Sequence, residues 1–77
     1  MMRYAPEWAK EEARRVIPAG PTLRHDEAGT PFRGYTFRCG GAEVGIARGF
    51  FRGADTVDEQ AAVIAYHASL RIGLEGC

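Results

Sequence analysis

The side chains able to do chemistry in this 77-residue chain are two cysteines, two histidines, ten carboxylates and nine arginines. Cys39 and Cys77 lack a C-x-x-C spacing. A bridge to a residue at the chain end would be a poor staple, so both read as free thiols in a reducing compartment. His25 and His67 lie far apart in sequence and fall short of a metal-ligand set. His25 reads instead as a half-buried structural residue. No Ser-His-Asp or Cys-His arrangement suggests itself. Gly41, Gly45 and Gly49 are evenly spaced but fall in a strand pattern, so they form no phosphate loop. The helix start that follows Gly53 is walled by Asp55, Asp58 and Glu59, which repel phosphate and serve better as caps. No catalytic residue, metal ligand or cofactor is expected.

Recognition chemistry is what remains. Ten basic residues balance ten acidic ones, which argues against both a general nucleic-acid coat and an all-acidic DNA mimic. Nine of the ten basic residues are arginine. That bias suits bidentate contacts at an interface; codon usage in a GC-rich genome would produce it equally well. The residues expected to touch a partner are Arg24, Phe32, Arg38, Phe51 and Arg52.

The element that must position them is a hairpin over Phe32 to Phe51, turning at Gly40-Gly41. Counting outward from the turn sets Arg38 opposite Glu43, Phe37 opposite Val44, Thr36 opposite Gly45 and Tyr35 opposite Ile46. Apolar residues then meet on one face and opposite charges on the other. Tyr35, Phe37, Cys39, Val44, Ile46 and Phe50 form the apolar face. Phe32, Gly34, Thr36, Arg38, Glu43, Gly45, Ala47, Gly49 and Phe51 form the other, bare at its centre. Such flatness fits a docking surface or a closely packed helix, for which Ala5, Ala9 and Ala13 would serve.

Helices flank this sheet. Pro6 and Glu7 suit the start of a helix over 5–17, with Glu11 and Arg15 as an i,i+4 pair. Its apolar stripe is Ala5, Trp8, Ala9, Ala13 and Val16, and Trp8 is expected to pack in the core. Thr56 and Glu59 read as a capping box opening a helix over 56–72. That helix carries two apolar stripes. Val57, Ala61, Ile64, Ala65, Ala68 and Ile72 should lie on the sheet. Val63, Tyr66, Leu70 and Leu74, with His67 at their edge, need a second cover, either the first helix or a partner chain.

The expected architecture is therefore α+β: one two-layer domain over 1–77 in the order α-β-β-β-α. Its three-stranded antiparallel sheet should use strands 22–26, 32–39 and 42–51. A chain this short buries only about 60 % of its unfolded surface, which favours a binding surface over an elaborate cavity. The charged start, MMRYAPEWAKEEARR, reads as neither a signal peptide nor a membrane span, so a cytoplasmic protein is expected.

The order of elements resembles that of double-stranded RNA-binding domains over most of the chain. That resemblance implies both helices on one sheet face, covering the second stripe of the last helix. The basic cluster of that family has no counterpart in Thr56-Val57-Asp58-Glu59-Gln60, so its RNA contacts do not carry over. In size and style the chain is similar to small phage-encoded inhibitors of the type I anti-CRISPR kind. This implies binding to a protein or ribonucleoprotein effector and blocking its access to target DNA. Two other expectations stand beside it. One is a nucleic-acid-binding module using Arg24, Arg38 and Arg52; the other is an accessory homodimer joined through the last helix.

Overall fold

The computed structural model describes residues 5–73. Helix α1 (Glu7–Val16) is followed by a 3-10 turn (Ile17–Ala19). Strands β1 (Thr22–His25), β2 (Pro31–Cys39) and β3 (Ala42–Ala47) come next, then a second 3-10 turn (Arg48–Phe51) and helix α2 (Val57–Arg71). The strands form one antiparallel sheet in the order β1-β2-β3. The fold is the α+β arrangement α-β-β-β-α. No helix among the described residues is long and apolar enough to cross a membrane.

The β2–β3 hairpin has the register set by its turn: Phe37 pairs with Val44, Arg38 with Glu43, Thr36 with Gly45 and Tyr35 with Ile46. Gly40 takes the positive φ, 62°, that a glycine at the first turn position supplies without steric cost. Phe37, Cys39, Val44 and Ile46 are all buried on one face, as alternation requires. Both helices pack on that face. Ala9 and Ala13 of α1 and Ala61, Ile64, Ala65 and Ala68 of α2 complete the core. The alanines expected as a cover for the glycine face therefore belong to the opposite layer. Small residues on both helices let their backbones approach closely, and Trp8 packs against the edge of this cluster.

The helix ends follow local chemistry. Pro6 is the N-cap of α1, one position earlier than a first-turn proline. The Thr56 hydroxyl accepts the Glu59 N–H, and the Glu59 carboxylate accepts the Thr56 N–H, closing the capping box. Between β1 and β2, Asp26 Oδ1 accepts the N–H groups of Ala28 and Thr30, so the turn is closed by a side chain.

Several expectations are corrected. The third strand ends at Ala47, not at residue 51. The 3-10 turn carries Phe51 to the helix side, where its ring meets Tyr35 edge-on at 5.4 Å and Phe37 at 5.7 Å. A three-ring cluster replaces an aromatic left on the open face, and Phe50, expected in the core, is 57 % exposed. Arg15 pairs with Glu12 at 2.8 Å in place of Glu11, because Glu12 is already held against β2. Cys39 is disulfide-bonded and is no free thiol; Cys77 lies outside the described residues. The inference of a reducing compartment, which rested on free thiols, falls with it.

The last helix also departs from expectation. Its inward stripe packs on the core as predicted, with Ala61, Ile64, Ala65 and Ala68 buried and Val57 and Ile72 half-buried, but α1 does not cover the other: Tyr66 is 55 % and Leu70 66 % exposed. α1 packs beside α2 through alanines, not over its back. Leu74 lies outside the described residues.

Candidate functional site

The face of the sheet away from the helices carries an open groove of roughly 730 Å³. Its floor is made by Gly45 and Ala47 of β3 and Phe32 of β2, and the β1–β2 turn forms one wall. Arg24 enters from β1, where it pairs with Phe32 across the strands. Its half-buried side chain lies across Gly45: a Cβ built on that glycine would stand 3.5 Å from Arg24 Nε. The missing side chain at Gly45 gives the guanidinium its bed.

Strand pairing explains the next contact. Residues flanking a two-residue turn exchange hydrogen bonds, and pairs then alternate along an antiparallel ladder. Arg38–Glu43 and Thr36–Gly45 thus become the pairs whose backbone groups point away from each other. On the β3 side, Arg71 from the last turn of α2 donates to the outward Gly45 carbonyl. On the β2 side, beyond the end of β1, the outward Arg38 N–H donates to Glu12 Oε1 at 2.6 Å. Burial works to raise the Glu12 pKa. The hydrogen bonds from Arg15 and the Arg38 N–H, with the charges of both arginines, outweigh it and hold the carboxyl below its ordinary value.

The two glycines of this face differ. At Gly34 a Cβ would come 2.5 Å from the Ile46 carbonyl oxygen and 2.9 Å from the Phe32 ring, so only glycine fits. Gly45 would tolerate a methyl at ordinary contact distance. Thr36, opposite Gly45, has a buried hydroxyl with no hydrogen-bond partner among the described residues.

No protein family matches this chain, and no curated protein or solved structure matches it either.

The site therefore rests on geometry. Of the five residues expected to touch a partner, the structure brings Arg24 and Phe32 into one groove. Arg38 shares their face but is exposed and paired with Glu43 at 3.8 Å. Phe51 is turned into the ring cluster on the other side. Arg52 lines a separate depression with Ile17, Tyr35, Arg48 and Gln60, at the end of the helix layer. Sequence reading missed Arg71 and Phe50, which line the groove near the β3 border. No local signal places Arg71 there, because its contact spans 26 residues.

A second exposed surface lies on α2. His67 is buried, 7 % exposed, with its ring against Phe50 at 4.6 Å and Tyr66 at 5.5 Å. Its Nδ1 is 2.9 Å from the Val63 carbonyl, which fixes Nδ1–H as the donor. His25, expected to be half-buried, is exposed beside the groove. Among the described residues no three His, Cys, Asp or Glu side chains gather to hold a metal ion.

Proposed function

We propose that this chain is a non-catalytic binding domain that docks a protein or ribonucleoprotein partner on the open face of its sheet. One observation carries the reading. Arg24 is half-buried across Gly45, beside Phe32, and has no ion-pair partner among the described residues. Arginine and aromatic residues over a flat, side-chain-poor floor are the usual anchors of protein interfaces. The finer reading is an inhibitor of a host complex, of the anti-CRISPR kind, denying it access to target DNA. Size and architecture support it. A cytoplasmic site of action belongs to that same reading and draws no support from the disulfide at Cys39. Direct nucleic-acid binding is the weaker alternative, because Arg38 is engaged by Glu43 and Arg52 lies away from Arg24.

A pull-down from cells of the native host, run in parallel with wild type and Gly45→Arg, tests the docking face. The variant's side chain displaces Arg24 and fills the groove without touching the core. Wild type should retain a protein that the folded variant loses, as followed by mass spectrometry and circular dichroism. Equal capture by both removes the open face from consideration.

The homodimer through α2 is a second reading with its own observation, the exposed Tyr66 and Leu70 on that helix, with Phe50 and Tyr66 both against the His67 ring. Light scattering of wild type and Leu70→Glu decides it: a dimer that the variant converts to a folded monomer supports it, and a wild-type monomer ends it.

A further inference from the structure

We infer that the groove is a carboxylate clamp, in which Arg24 and Arg71 together take one Asp or Glu side chain of a partner protein over Gly45. The inference rests on the docking face proposed above and names what that face recognises. Arg24 from β1 and Arg71 from the last turn of α2 converge on a single residue. One lies across the Gly45 backbone and the other donates to its carbonyl. Two cations drawn to one glycine repel each other, and an anion between them relieves that repulsion.

Of the chain's own acids near the groove, two are otherwise engaged, and the third, Glu27, stands in the wall without an ion pair to either arginine. Asp26 Oδ1 is held by the Ala28 and Thr30 N–H groups, and Glu43 pairs with Arg38. Neither Arg24 nor Arg71 forms an ion pair among the described residues. Each guanidinium offers a planar fork of five donors. Arg71 spends one nitrogen on Gly45 and Arg24 none on any described residue, so a carboxylate can be gripped by both forks. Phe32 and Phe50 supply apolar flanks for the residues on either side of that acid.

A protein carboxylate fits better than a nucleic-acid phosphate. Asp26 and Glu27 stand in the groove wall. They oppose a regular run of phosphates, whereas a peptide can place one acid at the arginines and a basic or neutral residue at the wall.

Selection of a random-peptide library against the intact chain provides the test. Enriched peptides should share an acidic residue. Replacing that residue by its amide should weaken binding roughly tenfold or more, the scale of a lost charge-assisted hydrogen bond. In spectra of labelled protein the shifts should centre on Arg24, Gly45 and Arg71. Arg24→Lys and Arg71→Lys, which keep the charge and lose the fork, should weaken binding in the same way. The amide swap needs no protein variant, so a misfolded mutant cannot obscure the result. Peptides that bind the groove without an acid, or unaffected by the amide swap, overturn the clamp and leave the docking face standing. Binding on the back of α2, or no enrichment, overturns both. A single-stranded oligonucleotide that occupies the groove with steeply salt-dependent affinity also overturns the carboxylate.

Discussion

The two faces of the sheet are built from alternate residues of the same strands, yet they follow opposite rules. On the helix side Phe37, Val44 and Ile46 are closed off from water and fill space with large side chains. On the open side Gly45 and Ala47 leave space, and an arginine occupies part of it, while Gly34 is closed over by its neighbours. The difference teaches that an empty position can be as specific as a filled one. Gly34 is glycine because neighbouring backbone stands where a Cβ would be. Gly45 leaves room that a guanidinium lies across, with space still for a methyl.

The comparison predicts a graded set of outcomes. Phe37→Ala should cost about 3–5 kcal/mol, the range for a buried aromatic, and unfold a domain this small; denaturant melts measure it. Gly34→Ala should cost about 1–3 kcal/mol as an overpacking change, although it adds one methyl on the open side. A neutral result would mean that the open face is as forgiving as its glycines suggest, and would break the contrast.

Glu12 sits at the border between the faces, and its effect depends on pH. Its folded-state pKa is lowered, so its contribution is complete above the ordinary value of 4.5 and is lost as pH falls through the lower folded value. Glu12→Gln keeps an acceptor for the Arg38 N–H but cannot titrate. Acid denaturation of the variant should begin from lower stability and show a shallower slope in that window. Identical slopes would remove Glu12 from the account.

The smallest effects belong to Gly45 in the groove floor and to Thr36 opposite it on β2. Gly45→Ala should change stability by less than about 0.5 kcal/mol, since the added methyl meets Arg24 at contact distance. Thr36→Val should be neutral or stabilising by up to about 1 kcal/mol, because it removes a buried hydroxyl without a partner. A large loss in either case, read by thermal melts, would show that the floor is structural and not reserved for contact.

Local rules made much of the fold legible. Turn chemistry and alternation predicted the hairpin register pair by pair. The Thr56–Glu59 box and the inward stripe of α2 were equally visible, because each depends on residues within a turn or two of one another. What escaped depended on distance in the chain. Alternation ran on through Phe50 and Phe51, since a period of two cannot register that Tyr35 and Phe37 offer Phe51 a better place. Helical spacing favoured Glu11 for Arg15, without knowledge that Glu12 would be pinned by a strand. The candidate site was half legible: Arg24 and Phe32 could be set on the correct face by strand pattern. Arg71 could not, because the reach of a long side chain around the sheet leaves no trace in periodicity.

The contacts of Glu12 and Arg71 have a further consequence for how molecules of this protein meet each other. A sheet border with free N–H and C=O groups is a template on which another chain can lay a strand. Here one outward donor of β2 is taken by a carboxylate and one outward acceptor of β3 by a guanidinium, at two of the stretches of border that no neighbouring strand covers; the outer edge of β1 is a third. Each side chain therefore denies an incoming strand a hydrogen bond near the middle of its path. Removing both would leave the fold's interior intact and open its margins, so the double variant should reveal itself first as filaments or precipitate in concentrated solution.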